Sequence, residues 1–87
     1  MIQTIVTLSK LKKLEVIDLC TATKLGKISD AELDLTLGRI SAIFVPRKRT
    51  IPIPFLHGPK FERRIPWHEI ERIGDDAILV RAGAEKI

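Results

Sequence analysis

The apolar residues of this chain come in short runs rich in β-branched side chains. Each run is cut off by glycine, proline or a cluster of turn-forming residues, which leaves little but a small β fold available. The clearest run is Arg39 to Val45, with Ile40, Ile43, Phe44 and Val45, and Pro46 closes it because proline cannot donate to a sheet ladder. Glu15 to Leu19 carries Val16 and Ile17, which suit a pleated surface. The helical repeat lasts barely one turn: Leu8, Leu11 and Leu14 recur with Lys10, Lys12 and Lys13 between them, and Ser9 is the expected cap. So short a helix has no stability of its own and is expected to plug one end of a β core.

The rest of the chain divides in the same way. Leu25 to Asp34 reads as one longer strand whose alternation slips, since Ile28 is apolar on one parity and Ala31, Leu33 and Leu35 on the other. That slip predicts a bulge near Ser29 and Asp30, with Asp30, Glu32 and Asp34 on an acidic outer face. Gly38 in Thr36-Leu37-Gly38 serves a turn. Arg64 to Pro66 begins a further strand, and Trp67 to Ile70 makes a turn or short 3-10 segment. Glu71 to Ile73 and Ala77 to Arg81 form a hairpin across Gly74-Asp75-Asp76. From Gly83 onward the chain reads as a frayed tail. The expectation is all-β: a small barrel or sandwich of about six short strands, with a barrel favoured because closure removes exposed edges.

These residues resemble a known family. EVIDLCTATKLGKISDAELDLTLGRISAIFVP, Glu15 to Pro46, is similar to the first half of a PRC-barrel domain: apolar strand, turn, a Leu25-Gly26-Lys27-Ile28-Ser29-Asp30 element, then a strand after Gly38-Arg39-Ile40. IPWHEIERIGDDAILV, Ile65 to Val80, resembles the second half, and the stand-alone YlmC/YmxH branch of sporulation-associated proteins matches best. The resemblance covers Leu8 to Val80. It implies a six-stranded barrel-like fold, a role in protein contacts and no catalytic residues to carry over. The molecular function of that branch is unassigned.

At 87 residues the chain is expected to form a single domain over 1–87, with the barrel over 8–80, a long loop over 47–64 and the tail over 83–87. The loop holds most of the charge asymmetry. Arg47, Lys48, Arg49, Lys60, Arg63 and Arg64 face one acid, Glu62, for a net +5, whereas the remainder nets −1. Between the basic ends lie Ile51, Ile53, Phe55, Leu56 and Phe61, stiffened by Pro52, Pro54 and Pro59. Loops longer than about 12 residues in a compact domain are often functional. A solvated loop with its apolar residues tucked on the core is the equal alternative. As a binding surface, Arg47, Lys48, Arg49, Phe55, Leu56, Lys60, Arg63 and Arg64 are the candidate contacts. A protein partner fits the mixture of apolar and basic groups, with RNA or an anionic membrane surface as alternatives and a homo-oligomer left open.

Catalytic constellations are not legible. Cys20 is the single cysteine, which excludes an internal disulfide, and is expected as a small buried side chain. His57 and His68 stand in no metal-binding spacing, so neither a metal nor a cofactor is expected. Asp75-Asp76 reads as turn chemistry, and Ser9, Ser29 and Ser41 lack a nucleophile elbow. Asp30 is expected to accept backbone hydrogen bonds, and Trp67 to cap the core with its indole N–H on a carbonyl. The longest charge-free run, Thr50 to Pro59, is far short of the roughly 20 residues a spanning helix needs. The expectation is a cytoplasmic, non-enzymatic adaptor.

Overall fold

The computed structural model describes residues 5–47 and 62–83. One helical turn, α1 (Leu8–Leu11), precedes strands β1 (Glu15–Asp18), β2 (Thr23–Lys27), β3 (Asp30–Asp34) and β4 (Arg39–Pro46). After residues 47–61 come β5 (Glu62–Pro66), a 3-10 turn (Trp67–Glu69), β6 (Ile70–Ile73) and β7 (Ala77–Val80). The strands form two sheets, one in the order β2, β1, β7, β6 and the other β3, β4, β5. All neighbours are antiparallel except β1 and β7, which run parallel from Glu15↔Ala77 to Asp18↔Val80. The mainly β expectation holds.

The stretch read as one long strand is two. β2 ends at Lys27, and the chain crosses at Ile28 and Ser29 into the other sheet, where Ser29 N donates to Phe44 O at 2.8 Å. The change of parity marks this switch of sheets rather than a bulge at Ser29 and Asp30. The bulges lie elsewhere. The register of β1 against β2 shifts between Val16 and Ile17, that of β3 against β4 between Glu32 and Leu33, and that of β6 against β7 between Ile70 and Arg72. Gly26 sits at the first of these with φ +97°, a backbone that side-chain-bearing residues rarely adopt.

The core draws on both sheets and the helical turn: Leu11, Leu14, Val16, Ile28, Ile43, Val45, Ile65, Ile78 and Val80 are buried together. Leu11 and Leu14 close one end, as expected, but Leu8 is 55% exposed. The cap of α1 is Thr7, whose Oγ1 accepts from Lys10 N at 3.2 Å, not Ser9. Ser9 lies within the turn, one residue past Leu8. The acidic face is also redrawn: Leu33 is 63% and Leu35 89% exposed, because β3 ends its sheet and its tip runs beyond the core.

Candidate partner-binding site

The basic segment begins and ends on neighbouring strands, and this fixes its mouth. β4 and β5 pair from Ala42↔Pro66 to Pro46↔Glu62, so Arg47 and Glu62 leave the ladder side by side. The loop expected over 47–64 is therefore shorter at its far end, because Arg63 and Arg64 belong to β5, where their backbones pair with Val45 and Phe44. Lys48, Arg49, Phe55, Leu56 and Lys60 lie outside the described residues.

Adjacent positions on a strand point to opposite faces, and Arg63 and Arg64 divide accordingly. Arg64 reaches across β4 to Glu32, with Nη2 2.8 Å from Oε2 and Nε 3.2 Å from Oε1. Ser41 Oγ donates to the same carboxylate at 2.5 Å. The Arg64 hydrogen bond first, then that of Ser41, holds the Glu32 carboxyl at about 2, well below its ordinary 4.5. Arg63 turns the other way, and its Nη2 donates to Gly83 O at 2.7 Å. There it borders a cleft of about 460 Å3 between β2 and the mouth of β4 and β5. Arg47 and Lys24 add positive charge to the walls, Leu25, Val45 and Pro46 add apolar surface, and Glu15 is the one acid among the described residues. Of the eight residues singled out by sequence, Arg47 and Arg63 thus converge on one cleft, whereas Arg64 is paired with Glu32.

The contribution of β2 was not legible in the sequence, because Lys24 and Leu25 reach the mouth only through the meeting of the two sheets. Asp18 was also missed, although a signal existed. It shares the parity of Val16 and so points a carboxylate inward. It is fully buried, with Oδ1 accepting from Cys20 N at 3.0 Å and from Ala82 N and Gly83 N at 3.3 Å. Oδ2 accepts from Thr21 Oγ1 at 3.0 Å. Burial alone raises its pKa, but these four hydrogen bonds outweigh it and the carboxyl is held below its ordinary value. Gly83, expected to fray, is therefore anchored from two sides.

Other expectations resolve individually. Cys20 is exposed rather than buried, since the turn after β1 carries it outward. Trp67 is 39% exposed and is no core cap, because the 3-10 turn lies at the rim. Asp30 accepts a backbone bond from its neighbour Ala31 N at 2.8 Å. Asp75 and Asp76 occupy the turn between β6 and β7, closed by Gly74 N to Ala77 O at 2.8 Å. Among the described residues no group of three or more His, Cys, Asp or Glu side chains could hold a metal ion. No described helix is long and apolar enough to cross a membrane.

Comparison with known proteins agrees with this architecture. The chain is 34% identical over 76 residues to the probable sporulation protein YlmC of Bacillus subtilis, covering 87% of this chain and 91% of that protein. It is 32% identical over 75 residues to the uncharacterised Bacillus subtilis protein YmxH, covering 84% and 85% respectively. An uncharacterised Clostridium acetobutylicum protein is 36% identical over 74 residues, covering 85% of this chain and 82% of its own length. The family model of the PRC-barrel domain matches residues 3–87. With its two small sheets and its helical plug, the chain belongs to the PRC-barrel domain family.

Proposed function

We propose that this chain is a non-enzymatic adaptor that binds another protein through its basic segment, residues 47–64. The observation that carries this reading is the segregation of charge. A net +5 is gathered in one segment also rich in apolar residues, and its two described ends flank a cleft that has apolar walls. Aromatic and apolar groups ringed by arginine are the usual makings of a protein interface. PRC-barrel domains generally serve as protein-interaction modules, which supports the same reading. The similarity to YlmC, a probable sporulation protein, extends it to a sporulation context.

An affinity capture with the wild-type chain, Phe55→Ala and Arg49→Glu side by side tests it. Loss of the same specific partner from both variants is expected. Retention of every partner by both would remove the segment from the interface. Transfer of the captured material to RNA, or to anionic vesicles, would replace the protein reading with one of those surfaces.

A further inference from the structure

We infer that the cleft between β2 and the β4–β5 mouth receives an extended, acidic segment of the partner protein, laid along the outer edge of β2. This rests on the reading of residues 47–64 as a partner-binding segment and names the chemistry of what they meet. The first observation is the edge. Among the described residues β2 ends its sheet and is hydrogen-bonded only to β1, so its other edge pairs with no described strand. Thr23, Lys24, Leu25 and Gly26 all border the cleft. Side chains of successive strand residues alternate between faces, so four in a row on one cavity bring the backbone of β2 to it as well as its side chains. An edge of this kind is a template for an added strand.

The second observation is why β4 does not pair with that edge. The nearest strand end is β4, which terminates in Pro46, and a proline nitrogen has no hydrogen to give to β2. Pro46 instead offers an apolar wall beside Val45 and Leu25, and its Cδ lies 3.8 Å from the place a Cβ on Gly26 would occupy. The third observation is charge. Lys24, Arg47 and Arg63 stand on the walls against Glu15. Among the described residues Lys24 has no ion-pair partner. The hydrogen bond to Gly83 uses one of the five N–H donors of the Arg63 guanidinium and fixes it at the lip. A second copy would present the same cations edge to edge, which like-charge repulsion opposes. A phosphate backbone would satisfy the cations but would leave the strand edge and the apolar wall unused. An acidic peptide with alternating apolar residues satisfies all three.

The test uses the full chain and three fluorescein-labelled probes: a peptide of alternating glutamate and leucine, its lysine–leucine counterpart, and a single-stranded oligonucleotide. Fluorescence anisotropy gives affinity, and amide chemical shifts of the nitrogen-15-labelled chain give location. The glutamate–leucine peptide is expected to bind, with the largest shifts over 23–26. Lys24→Glu is expected to weaken it at least about tenfold, a change of ~1.4 kcal/mol. Arg72→Glu on β6 is expected to leave it unchanged. Lys24 is exposed, so its variant should retain the wild-type melting curve; Arg63→Lys provides a second reading with the charge kept and the guanidinium fork removed. No binding, equal binding of the lysine–leucine peptide, tighter binding of the oligonucleotide, indifference to Lys24→Glu, or shifts centred away from β2 would each overturn the inference. If it fails while Arg49→Glu still abolishes partner capture, the partner-binding reading of the basic segment stands and only the acidic strand in the cleft is lost.

Discussion

Asp18 is the residue on which the closing of the chain depends. Its carboxylate ties the turn after β1 to the backbone of Ala82 and Gly83, far away in sequence. Asp18→Ala strands several of these donors and is expected to cost about 1–3 kcal/mol in denaturant unfolding. Asp18→Asn retains an acceptor oxygen and should cost less; equal losses would show that geometry, not acceptance, matters there. Glu32 gives a pH signature. Its folded-state pKa of about 2 lies below the ordinary 4.5, so the native contacts with Arg64 and Ser41 favour the ionised form. Their contribution is complete above pH 4.5 and is lost as the pH falls toward 2. Glu32→Gln should accordingly flatten the acid limb of the stability profile in that window. An unchanged limb would mean that the pair adds nothing. At this scale the sequence was a partial guide: the parity of Asp18 was readable, but the exposure of Cys20 and Trp67 was not, since each depends on where a turn lies relative to the finished core.

At the scale of elements, strand positions were largely legible and strand partnerships were not. β4 stood out because its β-branched run is bounded by Gly38 and Pro46, and the β6–β7 hairpin because Gly74-Asp75-Asp76 is turn chemistry. The division between β2 and β3 was hidden, since a change of parity looks the same whether a strand bulges or changes sheet. Gly26 is the local marker that remained. With φ +97° and, among the described residues, only Pro46 nearby at ordinary contact distance, Gly26→Ala is opposed by backbone rather than by crowding. It is expected to lower stability by more than about 1 kcal/mol, read as a shift in the thermal midpoint. The β3–β4 turn behaves differently. Asp34 Oδ1 accepts from Thr36 N and Leu37 N at 2.9 and 3.0 Å, so the Asp34 side chain holds the turn while Leu35 stands 89% exposed. Leu35→Ser should therefore stay within about 0.5 kcal/mol of wild type.

For the molecule as a whole, a thin core holds two sheets together, and the described ends of the basic segment, Arg47 and Arg63, border one cleft beside it. Ile43, Ile65 and Ile78 are fully buried and come from both sheets, so Ile43→Ala is expected to cost about 2–5 kcal/mol. A small loss would mean that the sheets are less interdependent than their shared core implies. The basic segment was readable as a run of residues, but its meeting with Lys24 and Leu25 was not, because only the folded sheets bring β2 to the β4–β5 mouth. The β4–β5 ladder runs from Ala42↔Pro66 to Pro46↔Glu62 and is built wholly from residues outside 47–61. The most direct test of the partner-binding account is therefore to replace residues 48–61 by a glycine–serine linker of equal length and measure melting and partner capture on the same protein. The account predicts a cooperative unfolding transition close to that of wild type together with loss of the specific partner. A folded variant that still captures that partner in full would contradict it.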